Sequence, residues 1–149
     1  CTVGELNVVK PSRNSIPGEV NFTLDLRHAE LKGLEQLEQK ARAVIGQVAE
    51  ATGTVIELNR IWDSPPIAFN NECVDAVEKA VAGSGFSYKK MTSGAGHDAV
   101  NLSTVIPTSM IFVPSIGGIS HNEAEYSSPE QIAAGCQILF DVMREEASA

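Results

Sequence analysis

TSGAGHDAVNLSTVIPTSMIFVPSIGGISHNEAEYSSPEQ, residues Thr92–Gln131, holds two of the chain's three histidines, each behind a glycine-rich loop, with an apolar run between them. Gly94-Ala95-Gly96 leads into His97, which Asp98 follows; Gly117-Gly118-Ile119-Ser120 leads into His121, which Asn122, Glu123 and Glu125 follow. Glycine lets backbone approach a ligand closely, and imidazole can bind a metal or move a proton. Asp98–Val105 reads as a helix and Met110-Ile111-Phe112-Val113 as a buried strand. Ser128 then caps a helix, with Pro129 at its first position and Gln131 completing a capping box. Loops at the carboxyl ends of strands in α/β folds are where ligands bind, so the two histidine loops are candidate site elements.

Working outward, Ile132, Cys136, Leu139 and Met143 form an apolar stripe along the last helix. Upstream, Val74, Val77 and Val81 predict a helix that stops at Gly83-Ser84-Gly85, and Tyr88–Met91 a short strand. Helix, strand, helix, strand, helix suggests the edge of an α/β sheet with mostly parallel strands and flanking helices. Asp63-Ser64-Pro65-Pro66 breaks the pattern, because a di-proline continues neither a helix nor a central strand. We therefore divide the chain into residues 1–66 and 67–149.

In the first part, Val3–Val9 reads as a strand and Pro11–Ser15 as a turn-rich loop closed by Pro17-Gly18. Val20, Phe22, Leu24 and Leu26 alternate with Asn21, Thr23, Asp25 and Arg27, the period of a half-buried strand with one polar face. Leu31, Leu34, Leu37, Ala41, Val44, Ile45 and Val48 predict an amphipathic helix ending near Gly53, followed by a strand over Thr54–Ile61. This order fits an antiparallel sheet layer covered by helices, an α+β arrangement.

Composition narrows the function. The 149 residues are 43% hydrophobic and 20% charged, as in a globular protein. A net charge of −8 with scattered Lys and Arg argues against nucleic acid and against an anionic membrane surface as partners. Cys1, Cys73 and Cys136 are odd in number with no C-x-x-C pair; Cys73 and Cys136 fit apolar helix faces, which predicts buried free thiols and a cytoplasmic setting. The opening Cys1-Thr2-Val3-Gly4 reads as a chain entered part-way through a domain. Asn21-Phe22-Thr23 and Asn101-Leu102-Ser103 match the glycosylation triplet, a pattern common by chance, and the glycine turns carry neither a Walker Lys-Ser/Thr pair nor a dinucleotide fingerprint.

Three positions invite a chemical reading. His121, between glycines and carboxylates, suits a metal ligand or an acid/base group, though an exposed loop histidine would look the same. His97, at a helix start that disfavours an imidazolium, could orient a substrate or brace its loop. Arg27 and Asn14 stand on either side of a hairpin, and an Arg fork with an Asn amide suits a carboxylate; spacing alone favours a plain surface arginine. His28 follows Arg27 and is assigned no role.

Taken together, Asn14-Ser15-Ile16-Pro17-Gly18, Leu24-Asp25-Leu26-Arg27-His28, Ser64-Pro65-Pro66, Ser93-Gly94-Ala95-Gly96-His97-Asp98-Ala99 and Gly118-Ile119-Ser120-His121-Asn122-Glu123-Ala124-Glu125-Tyr126 resemble the hydantoinase/carbamoylase branch of the M20 metallopeptidase family. That branch includes N-carbamoyl-L-amino-acid hydrolases and allantoate amidohydrolases. The resemblance covers the whole chain and corresponds to the C-terminal portion of such an enzyme.

It implies that residues 1–66 are the later part of a ferredoxin-like α+β lid and dimerisation domain, and residues 67–149 the end of an α/β catalytic domain. It implies His121 as a metal ligand, Arg27 and Asn14 as the substrate-carboxylate clamp, and Gly96 and His97 as lining of the substrate pocket. The general base and remaining ligands for two divalent ions (zinc or manganese, with cobalt or nickel open) are expected upstream of Cys1. The implied partners are a small ureido or carbamoyl carboxylate, a second copy bound through the lid, and the missing N-terminal part of the same enzyme. A non-catalytic dimerisation or scaffold piece, and an aminoacylase or peptidase of the wider family, are the competing readings.

Overall fold

The computed structural model describes residues 1–148. The chain divides after the di-proline into two compact units, Cys1–Pro66 and Ile67–Ala149, which are described separately.

In the first unit, β1 (Thr2–Val8) and β2 (Val20–Asp25) form an antiparallel hairpin with Val3 opposite Leu24, Leu6 opposite Phe22 and Val8 opposite Val20. The ladder slips between Val3 and Leu6. There Thr23 Oγ1 accepts a 3.0 Å hydrogen bond from the Glu5 amide, occupying a donor that the irregular pairing would otherwise leave open. Strand β2 ends two residues earlier than its alternation suggests, so Arg27 stands just beyond the ladder.

Helix α1 (Leu31–Thr52) ends as expected on a left-handed Gly53 at φ 66°. Its half-buried positions include Leu34, Leu37, Ala41 and Ile45, whereas Leu31, Val44 and Val48 are exposed. Two expectations are corrected here. Helix α1 packs against neither strand, so it does not cover the hairpin, and Val20 and Phe22 remain exposed. Residues 54–61 form no ladder, because a strand needs a hydrogen-bonded neighbour and none of the described residues supplies one. What ties this segment to α1 instead is Arg60, which pairs with Glu38.

The second unit is built on α2 (Asn71–Ser84) packed against α4 (Pro129–Glu146). Asn70 caps α2 by accepting from the Cys73 amide at 3.0 Å. Ser128 and Gln131 form the full capping box on α4, with Pro129 at its first position. Lys79 of α2 pairs with Glu145 of α4. The core residue is Ile138, 4% exposed, flanked on its face of α4 by half-buried Ala134, Gly135 and Val142.

That face is not the predicted one. Ile132, Leu139 and Met143 are exposed, and so is Cys136; Cys73 is half-buried, so neither thiol is the buried one expected. The reason is that α4 carries apolar residues at helical spacing on two faces, and α2 covers only one of them. Val77, Ile111, Val113, Ile132, Cys136 and Leu139 line part of a shallow groove of about 370 Å³.

Residues 88–91 and 110–113 form no ladder either, so the expected parallel sheet is not assembled among the described residues; the one sheet present is the hairpin. Helix α3 (Asp98–Leu102) is shorter than predicted, its continuation to Ile106 being a turn. No described helix is long and apolar enough to cross a membrane.

Candidate functional site

Five residues carry the chemical expectations, and they fall in both units. In the first unit, Asp25 and Arg27 are two apart at the end of an extended segment, a spacing that places side chains on one face. Arg27 Nε donates to both carboxylate oxygens of Asp25 at 3.0 Å, and Nη2 donates to Oδ2 at 2.6 Å. The hydrogen bond from Arg27 holds the Asp25 carboxyl below its ordinary value, and Asp25 raises the guanidinium in return. The side chains are 59% and 44% exposed, and exposed pairs contribute roughly 0–1 kcal/mol of stability. The pair therefore does more to orient the guanidinium than to hold the fold.

Asn14 lies in the loop joining β1 to β2, and its Oδ1 accepts from Ser12 Oγ at 2.9 Å. That bond identifies the oxygen end of the amide and turns the two N–H donors the other way. Asn14 and Arg27 are thus each fixed by a neighbour two residues earlier in the chain. The same loop walls a shallow cavity of about 300 Å³ beside Lys10, Ser12 and Ser15.

In the second unit, His97 is the cap residue of α3, with extended backbone at φ −140° and ψ 149°. Its Nε2 lies 2.7 Å from Ser93 Oγ, and that hydroxyl also accepts from the Ala95 amide at 3.2 Å. The ring meets Phe112 edge-on, with centroids 5.5 Å apart at 61°. His97 is half-buried and bound to its own loop, so of its two sequence readings the bracing role is the one the contacts fill. Gly96 is exposed, and the position a Cβ would take there is open space.

His121 has a left-handed backbone at φ 55°, uncommon for a non-glycine residue and found where a loop is shaped by its own bonds. Those bonds are several. The His121 amide donates to Glu125 Oε2 at 2.9 Å, and Asn122 Oδ1 accepts from the Ala124 amide at 2.9 Å. The base of the loop is closed by the Ile116 amide on the Tyr126 carbonyl at 2.8 Å and by Ser127 Oγ on the Pro114 carbonyl at 2.8 Å. His121 itself is exposed. No hydrogen bond or ring contact among the described residues joins it to His97.

Among the described residues no group of three or more His, Cys, Asp or Glu could hold a metal ion. The described residues by themselves therefore do not gather around His121 the three protein ligands that a catalytic zinc needs beside its open position. Sequence reasoning noted Glu125 as a carboxylate beside His121 but missed the supporting residues Asp25, Ser12 and Ser93. The i, i+2 spacing of Asp25-Leu26-Arg27 was the one legible signal among them.

The profile of the peptidase family M20/M25/M40 matches residues 5–145. An N-carbamoyl-L-amino-acid amidohydrolase of Rhizobium meliloti is 37% identical over 145 residues, 97% of this chain and 35% of that protein. The allantoate amidohydrolase of Bacillus subtilis is 34% identical over 142 residues, 95% of this chain and 34% of that protein. The crystal structure of an amidase of the hydantoinase/carbamoylase family from Burkholderia multivorans superposes with a TM-score of 0.88 at 44% identity, covering 95% of this chain and 34% of that one. The chain thus spans about a third of the length of the curated relatives it matches.

Proposed function

The chain belongs to the peptidase family M20/M25/M40, and on that premise we propose that it is the C-terminal portion of a metal-dependent amidohydrolase. The enzyme would cleave the carbamoyl or ureido C–N bond of N-carbamoyl-L-amino acids or allantoate-like acids. The observation that carries this reading is that Asn14, Arg27, Gly96, His97 and His121 all fall within matched residues 5–145, in a chain whose relatives include both named activities.

In this reading Cys1–Pro66 is the later part of an α+β lid that also mediates dimerisation, and the second unit is the end of an α/β catalytic domain. The segment 110–113 would gain its ladder partners from sheet strands outside this chain. Arg27 would take the substrate carboxylate on its planar fork, with an N–H of Asn14 as a further donor. Gly96 and His97 would line the pocket, Ser93 and Phe112 keeping the imidazole in place. His121 would supply one ligand to a divalent ion, zinc or manganese first among the choices. Such an ion, when bound, offers Lewis-acid chemistry. The other ligands and the general base would come from residues outside this chain, and the cysteines, none in a disulfide, accord with a cytoplasmic setting.

The test is to join this chain behind the remaining two thirds of the Rhizobium meliloti relative and assay N-carbamoyl-L-amino acids and allantoate. Chelator-sensitive turnover that His121→Ala abolishes is the expected result. Turnover unaffected by His121→Ala would remove the metal-ligand role.

A second reading is favoured by the lack of a three-donor cluster among the described residues: taken alone, this chain is a dimerisation or scaffold piece. It then binds no catalytic metal and hydrolyses nothing by itself. Hydrolysis by the purified chain above a His121→Ala control would refute that.

A further inference from the structure

Resting on the reading of His97 as pocket lining above, we propose that Ser93 is a positioning residue that fixes which ring nitrogen of His97 carries the proton. Nε2 is bare and held by the Ser93 hydroxyl, and Nδ1 carries the N–H, so the imidazole meets the substrate as a hydrogen-bond donor to an oxygen.

The assignment follows from matching donors to acceptors. A serine hydroxyl has one proton to give and two lone pairs. The Ala95 amide, which can only donate, uses one lone pair of Ser93 Oγ at 3.2 Å. His97 Nε2 lies 2.7 Å from the same oxygen. Were Nε2 protonated, Oγ would take two N–H donors, and its own proton would meet no acceptor among the described residues. With Nε2 bare, the hydroxyl donates to the ring and accepts from Ala95, and each group has its partner. Ser93 and His97 are both half-buried, where an unmatched hydroxyl proton is costly. A neutral imidazole with Nε2 as acceptor carries its proton on Nδ1.

The ring is held in the orientation that this requires. Phe112 meets it edge-on, with centroids 5.5 Å apart at 61°, and limits its rotation. The segment before Phe112 is anchored to α2: Ser109 Oγ donates to the Cys73 carbonyl at 3.2 Å, and the Asn70 amide donates to the Thr108 carbonyl at 3.1 Å. Bracing thus occupies one nitrogen, and no hydrogen bond among the described residues engages Nδ1. The Nε2 lone pair is taken and Nδ1 is protonated, so neither serves as a base or a metal ligand. What remains is an N–H donor, complementary to a carbonyl or carboxylate oxygen of a carbamoyl or ureido acid and not to its N–H groups.

The first measurement is the imidazole nitrogen spectrum of the chain at alkaline pH. Nε2 of His97 is expected to resonate as an unprotonated, pyridine-like nitrogen and Nδ1 as a protonated, pyrrole-like one. Ser93→Ala should move part of the population to the other tautomer, and Ser93→Thr, which keeps a hydroxyl, should restore the wild-type pattern. A pyrrole-like Nε2 in the wild type would overturn the proposal, and so would a Ser93→Ala spectrum identical to it.

The second uses the complete enzyme joined as above. Ser93→Ala is expected to lower kcat/KM about tenfold, because only the fraction of rings with the proton on Nδ1 binds productively, and Ser93→Thr should recover most of it. His97→Asn, which can place an N–H near the Nδ1 position, should retain more activity than His97→Gln, which places its amide near Nε2; the reverse order would sink the donor assignment. With an N-carbamoyl-L-amino acid and its carboxamide compared, a Ser93→Ala loss equal on both supports the donor role and identifies the carbamoyl oxygen as acceptor. A loss much smaller on the carboxamide supports it and identifies the carboxylate. If both His97 variants impair turnover but Ser93→Ala does not, this inference alone fails. If neither His97 variant changes the kinetics, the pocket-lining reading fails and the inference falls with it.

Discussion

Val113 occupies the space that any side chain on Gly135 would need: its Cγ1 is 2.5 Å from where a Cβ would stand. The contact fixes the segment 110–113 against α4 although that segment has no ladder partner. Gly135 is an interior helical position, where glycine ordinarily costs about 0.5–1 kcal/mol relative to alanine. Close approach of Val113 explains why it is nonetheless glycine.

Gly135→Ala should therefore destabilise the protein. Overpacking costs about 1–3 kcal/mol, and valine's stiff χ1 leaves little room to yield. Urea unfolding should show the loss, and Val113→Ala should reverse its sign by removing the clash. Gly46→Ala in α1, where no atom stands near, should instead stabilise by about 0.5–1 kcal/mol. A stabilised Gly135→Ala in the wild-type background would contradict the packing.

Ser128→Ala removes the hydroxyl that accepts from the Gln131 amide and breaks the capping box on α4. A loss of about 1 kcal/mol is expected from denaturant unfolding. Because α4 carries the buried Ile138, the loss should appear as reduced stability of the second unit and not as local fraying alone. Ser128→Asp, which keeps an acceptor at the cap, should lie close to wild type.

Glu38 accepts from Arg60 and from Arg42, and these bonds hold its carboxyl down at about 2. A depressed folded value means that its contribution is complete above the ordinary glutamate range, near 4.5, and is lost as pH falls toward 2. Both arginine partners are exposed, so the effect on stability is small and screened by salt. The expected observation is a Glu38 carboxyl carbon that titrates well below the ordinary glutamate value of 4.5. Arg60→Ala should move that midpoint upward; a midpoint that does not move would mean that Arg60 does not reach Glu38 in solution.

Arg27→Lys in the complete enzyme should raise KM for a carboxylate substrate by roughly tenfold with kcat little changed, because the ammonium keeps the charge but loses the planar fork. Steady-state kinetics decide it, and an unchanged KM would remove Arg27 from substrate binding.

Much of this was legible in the chain because it depends on neighbours in sequence. Period-two alternation announced β2, and Ser128-Pro129-x-Gln131 announced α4 and its cap. Gly53 marked the end of α1 by the left-handed backbone it permits. The five motifs also sufficed to place the chain in its family, since motif order survives when the surrounding structure is not in view.

Which apolar face of α4 turns inward could not be read that way. Ile132, Cys136, Leu139 and Met143 have helical spacing, but so do Ala134, Ile138 and Val142, and only the packing of α2 chose the second set. The strands expected over 54–61, 88–91 and 110–113 failed for a related reason: a strand is a relation between two segments, and β propensity in one of them supplies no partner. Likewise, sequence named Arg27, His97 and His121 by residue type. The hydrogen bonds that Asp25, Ser93 and Glu125 make to them emerged only from the fold, because what orients a side chain is the distance to another atom, and distance is set by the tertiary structure.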